Sequence, residues 1–165
     1  MTSFALKMYL LVGWVAGSVF ITSCNGKRTS FSATETRKEL NQFAIDIENG
    51  ISKDGPITWL NYFEDSADFF MASNGELVFK DYQTAHSFIT NVLVKNIAKI
   101  NLKWRNIKVD PYAANWGYIG AYFHEDLIDQ TGKTLAVDGY FTATAHKTTN
   151  GWSLRNVHWS IKPPR

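Results

Sequence analysis

Apolar positions along the chain change their period near residue 100. Before it they recur at helical spacing: Leu40, Phe43, Ala44, Ile47 and Ile51 lie three or four apart and predict a helix over about 33–52. Ser32-Ala33-Thr34-Glu35 ahead of that stripe has the Ser-x-x-Glu form of a capping box. Asp54-Gly55-Pro56 ends the helix and opens a short second one, whose apolar stripe is Ile57, Leu60 and Phe63. Asp68–Ala72 reads as a short strand closed by Ser73-Asn74-Gly75. Asp81 is placed to cap a third helix with an apolar face of Ala85, Phe88, Ile89, Val92 and Leu93.

After residue 100 the texture is aromatic and β-branched. Segments 100–110, 114–129, 135–148 and 151–162 are separated by Asp110-Pro111, Gln130-Thr131-Gly132-Lys133 and Thr148-Thr149-Asn150-Gly151. Turn chemistry at those intervals predicts long antiparallel strands joined as hairpins. Helices first and strands afterwards define an α+β class, about three N-terminal helices packed on one face of a curved, mixed or antiparallel sheet.

The N-terminus has a different pattern. Lys7 is the only charge in residues 1–23, and an apolar run from Met8 to Ile21 leads to Thr22-Ser23-Cys24. That is the form of an export signal, and the run is short of the about 20 residues a membrane span needs. Ile21-Thr22-Ser23-Cys24 resembles the lipobox of bacterial lipoproteins. The resemblance implies cleavage before Cys24, a diacylglyceryl thioether on its sulfur, and a further acyl chain such as palmitate on the new N-terminus. It places the protein in the cell envelope, held to a membrane through Cys24. Asn25 is not the aspartate that retains enterobacterial lipoproteins in the inner membrane, which favours the outer one. The expected organisation is a signal over 1–23, a lipidated cysteine and polar tether over 24–32, and one domain over 33–165.

Composition narrows the chemistry. Cys24 is the only cysteine, so the domain has no disulfide framework and no cysteine-built metal site. A formal charge of +2 without a long Lys/Arg run gives no support for nucleic-acid binding. No phosphate-binding glycine loop or nucleophile elbow is present, and no cofactor is implied. In His124-Glu125-Asp126 alternation allows His124 and Asp126 to share a side while Glu125 points away; His86 and His146 lack ligand spacing, so no metal site is expected.

The final hairpin carries a second resemblance. Phe141-Thr142-Ala143-Thr144-Ala145-His146-Lys147, then Gly151-Trp152-x-Leu154-x-x-x-His158-x-Ser160, resembles the closing strands of the NTF2-like superfamily, in particular its SnoaL-like and DUF4440 groups. The resemblance covers about 33–162 and implies a cystatin-like cone whose bent sheet wraps its helices around a pocket; homodimers through the sheet face are frequent among such proteins. Regular alternation puts Trp152, Leu154, Asn156, His158 and Ser160 on one face. With Leu154 turned to the helices, His158 and Ser160 would point into the cone. The candidate pocket set is then Trp116, Tyr118, Tyr122, Tyr140, Asn156, His158 and Ser160, with Gly117 and Gly120 marking bends in a long strand.

Three functions remain open on these residues. The leading one is a non-catalytic domain or binder of a small apolar ligand. The second is an isomerase, cyclase or dehydratase with His158 as acid/base and a tyrosine such as Tyr140 as oxyanion donor. Asp65 and Asp68 are lesser acid/base candidates. In ketosteroid isomerase, a relative under this resemblance, the base comes after a segment like Phe63-Glu64-Asp65-Ser66-Ala67, and counting on places it near Met71, which cannot accept a proton. The third is an envelope interaction module, which would expose an apolar patch with Trp104 or Trp159 on the outer sheet face.

Overall fold

The computed structural model describes residues 31–163. The export signal, Cys24 and most of the tether lie outside them, as do Pro164 and Arg165. The first helix, α1, spans Ala33–Asp54; the Ser32 hydroxyl accepts from the Glu35 N–H at 3.3 Å, and the predicted stripe from Leu40 to Ile51 is buried. Gly55, at φ 81°, turns the chain out of the helix. Pro56–Asn61 then forms a 3₁₀ helix that buries Trp59. Strand β1 (Phe70–Ser73) pairs antiparallel with β2 (Glu76–Phe79) across Asn74-Gly75, whose φ angles are both positive. Two successive positive φ values are the mark of a type I′ hairpin turn.

Helix α2 (Tyr82–Phe88) is capped by a reciprocal Asp81–Thr84 box, runs through a π-helical turn at Ile89–Leu93, and ends in a last α-turn at Val94–Asn96. The π turn adds a residue to the local repeat and so rotates the positions beyond it about the helix axis. Ala85 and Ile89 are buried and Leu93 faces inward as predicted, whereas Val92 is exposed and Phe88 is partly exposed although it faces the interior.

Four long strands complete the chain: β3 (Ile97–Ala113), β4 (Trp116–Asp129), β5 (Thr134–Thr148) and β6 (Gly151–Ile161). The sheet order is β2-β1-β6-β5-β4-β3, and all pairs are antiparallel except β1 with β6. This is a mixed sheet of six strands with α1 laid along the inner face of β3 and β4. The helix runs from the end near Asp110, where Arg37 approaches at 4.0 Å, to the end near Leu102, whose N–H donates to the Ser52 hydroxyl at 3.0 Å. Gly117 allows the close approach: a Cβ there would lie 2.4 Å from Leu40 Cδ1. The sequence assigned Gly117 to a bend; its role is clearance for the helix. Bending of the long β3/β4 pair comes instead from an irregularity between Arg105 and Lys108, where Asn106 has φ 55°.

The decisive irregularity is in β6. Leu154 pairs with Ala145 and Asn156 with Thr144, so Arg155 is an extra residue with no partner of its own. One inserted residue exchanges the two faces of every residue beyond it. Val157 and Trp159 therefore turn into the core, and His158 and Ser160 turn out. The expectation that His158 and Ser160 point into the cone is corrected by this bulge.

Candidate functional site

Inside the cone a cavity of about 350 Å³ lies between the inner sheet face, the 3₁₀ helix, the β1–β2 hairpin and α2. Trp59, Phe63, Phe79, Phe88 and Trp159 supply aromatic walls, and Met71, Ile100, Leu127 and Val157 supply aliphatic ones. The volume lies in the range of small-molecule sites, which combine apolar walls with a few polar groups. Val78, Phe88 and Ile161 are both lining and exposed, so they mark its mouth.

Among the described residues one ionisable group lines this cavity: Glu125. It stands on β4 between Leu102 of β3 and Val137 of β5, in the inward series Ile119, Ala121, Phe123, Glu125, Leu127. It is only 7% exposed. Burial alone pushes its pKa up to about 7, with no hydrogen bond or neighbouring charge contributing. Holding that carboxyl ionised therefore costs about 3 kcal/mol relative to water, since each pKa unit is about 1.4 kcal/mol. Among the described residues, the Ser73 hydroxyl and two indole N–H groups are the other side-chain polar groups on the wall.

The residues singled out in the sequence lie elsewhere. Trp116 and Tyr118 are half-buried and Tyr122 is exposed, all on the outer sheet face, and none lines the cavity. Tyr118 and Tyr140 meet over Gly120, where a Cβ would fall 2.7 Å from the Tyr118 hydroxyl and 3.0 Å from that of Tyr140. Burial, and then Tyr140, raise the Tyr118 pKa. Asn156 pairs with Phe70 of β1, and His158 is exposed. Tyr122, Tyr140 and Ser160 instead edge an open outer groove with Arg105, His124 and Asp138. His124 Nε2 lies 3.3 Å from Asp126 and its Nδ1 3.1 Å from Asp138. Among the described residues no group of three or more His, Cys, Asp or Glu is arranged to hold a metal ion.

The bulged Arg155 has its own outer cluster. Its guanidinium donates to Glu64 at 2.9 Å and to Asp68, and lies 5.4 Å from the Trp116 ring centre. His146 stacks on Trp116 at 4.1 Å and reaches Glu64 at 3.2 Å. These contacts give the extra residue a place to go, and they hold Asp68 away from the cavity. Met71, by contrast, is on the cavity wall. Trp104 donates its indole N–H to the Ala44 carbonyl at 2.9 Å, and Trp159 is 8% exposed, so neither stands on an outer patch.

Sequence reasoning missed Glu125 by treating it as the odd member of a metal-like triplet. The signal was present: four apolar residues alternate with it on one face of β4.

Solved structures with the same architecture span most of the domain. A nuclear transport factor 2 (NTF2-like) superfamily protein from Salmonella enterica serovar Typhimurium is 19% identical, with a TM-score of 0.66 over 80% of this chain and 95% of that one. A type 3 hexachlorocyclohexane dehydrochlorinase from Novosphingobium barchaimii is 11% identical, with a TM-score of 0.61 over 79% and 88%. A protein with a cystatin-like fold from Nostoc punctiforme is 13% identical, with a TM-score of 0.57 over 80% and 94%. No family model matches the sequence, and no curated protein matches it. The chain thus has the NTF2-like, cystatin-like α+β fold. That fold houses proteins of several activities, so function must be argued from the cavity.

Proposed function

We propose that the domain is a binding chamber for a small, mostly apolar molecule that presents one polar group to Glu125. The observation that carries this is the cavity itself: carbon walls around a single buried carboxyl that no group among the described residues neutralises. Apolar surface gained on filling the chamber favours binding, and the carboxyl fixes orientation. An isomerase, cyclase or dehydratase activity, if present, would run on Glu125 and not on His158, which lies outside the chamber. The dehydrochlorinase among the similar structures is compatible with such chemistry but does not require it here.

Titration calorimetry and native mass spectrometry of the purified protein with tert-butylbenzene test the chamber. One molecule should bind saturably, and Ser73→Trp, which fills the cavity from β1, should reduce affinity at least tenfold while the protein stays folded by circular dichroism. Absence of saturable binding, or binding unaffected by the filled cavity, would refute the reading.

The chamber would work at a membrane surface. Ile21-Thr22-Ser23-Cys24 supports an exported lipoprotein held in the envelope, with the outer membrane favoured by Asn25. Among the described residues no helix is long and apolar enough to cross a membrane. The tether would enter α1 at the Asp110 end of the sheet, while the cavity is lined by Ile100 and Leu127 at the other end. The mouth would thus open away from the anchor. Alkynyl-palmitate labelling in a bacterial host should mark the protein and be lost in Cys24→Ser; labelling that persists in the variant would contradict the anchor.

A further inference from the structure

Resting on the chamber reading above, we infer that the ligand class is an organic ammonium: a trimethylammonium or protonated tertiary amine on an apolar body, held by the Glu125 carboxylate among the aromatic rings of Trp59, Phe63, Phe79, Phe88 and Trp159. The first ground is charge. Glu125 is buried and has no countercharge among the described residues: the 3₁₀ helix, β1, β2, α2 with its π turn, β3 and β6 bring only apolar side chains and the Ser73 hydroxyl to the cavity, none of them ionisable. A carboxylate buried this way is unfavourable until a cation enters with the ligand.

The second ground is the kind of surface around it. Five of the lining residues are aromatic, and several are already set at angles to each other: Trp59 and Trp159 cross at 89° with centroids 5.5 Å apart, and Phe79 and Phe88 sit 5.4 Å apart at 48°. Ring faces attract an organic cation through their quadrupole, most strongly where water is excluded, and tryptophan is the best of them. A quaternary ammonium is weakly hydrated and has no N–H to satisfy, which suits a wall with few acceptors. A neutral apolar ligand would use the same volume but leave the carboxylate without a partner. An anion would face Glu125 with no Lys or Arg to offset the repulsion.

The test compares phenyltrimethylammonium with tert-butylbenzene, a neutral molecule of nearly the same shape, by calorimetry at pH 8.5. The cation is expected to bind at least tenfold tighter than the neutral probe. In Glu125→Gln its affinity should fall at least tenfold, while tert-butylbenzene, which no longer has to cover an unpaired carboxylate, binds as tightly as before or tighter. In the wild type, cation affinity should also weaken as pH falls below about 7, where Glu125 takes up its proton. Equal binding of both probes, or a cation preference that survives Glu125→Gln, would overturn the ammonium assignment and leave the apolar chamber standing. Binding of neither probe would remove both.

Discussion

Trp159→Ala is expected to destabilise the domain by about 3–5 kcal/mol, the range for truncating a buried tryptophan, whereas His158→Ala should stay within about 0.5 kcal/mol. The two residues are neighbours in sequence and opposite in environment. Trp159 lies with its ring 4.4 Å from Phe123, 5.1 Å from Phe141, 5.5 Å from Trp59 and 5.9 Å from Trp104. Its removal leaves a hole where the sheet core, the 3₁₀ helix and the cavity wall meet. His158 is exposed, on the opposite side of the strand from the core. Urea denaturation at pH 7 measures both. If the strand kept strict alternation from Leu154, the order of the two effects would reverse, and a large loss for His158→Ala with a small one for Trp159→Ala would refute the bulge at Arg155.

Replacing Glu125 by Met should stabilise the protein more as pH rises, with the advantage growing by about 2–3 kcal/mol between pH 5 and pH 9. The sign comes from proton uptake. Glu125 titrates at about 7 in the folded chain and near 4.5 in the unfolded one, so between those values the native state holds more protons. Stability from this group is therefore fully present below about pH 4.5 and is lost as pH rises through 7. Met has similar volume and no charge, so the variant lacks that loss. Comparing the two proteins at each pH cancels the other titrating groups, Glu39 among them, whose pKa is lowered by its bonds from Lys147 and Trp152. A stability difference independent of pH would mean that Glu125 is solvated or paired.

Most of the fold was legible in the pattern of residues because it rests on short-range physics. The stripe on α1 arises from helical period, the Asp81 cap from side-chain chemistry, and the four long strands from β-branched and aromatic runs between turn residues. The losses occurred where tertiary contacts override a local period. Strand β2 has only four residues, Glu76–Phe79, too few for alternation to register. The π turn at Ile89–Leu93 turned Val92 out of the predicted apolar face and left Leu93 on it. The bulge at Arg155 had the largest consequence, since it reversed Val157, His158, Trp159 and Ser160 together. Its partners, Glu64 and Asp68, are 91 and 87 residues away in the chain, beyond any local signal. The site suffered more than the fold for this reason: one inserted residue leaves the sheet order intact but changes which side chains meet the cavity. Glu125 needed no such knowledge, because β4 is regular where it lies and its apolar neighbours at alternate positions fix its side.

The proposed binding function stands on an apolar chamber that encloses a carboxyl with no partner among the described residues. Carbon-13 NMR of the Glu125 side-chain carboxyl, assigned by its loss in Glu125→Gln, reads this directly in the ligand-free protein. A titration midpoint near 7 is expected, moving downward when phenyltrimethylammonium is added. A midpoint at the ordinary glutamate value, near 4.5, would place Glu125 in water or beside a cation of the protein, and the chamber would then lack the buried, unpaired charge on which its ligand preference depends.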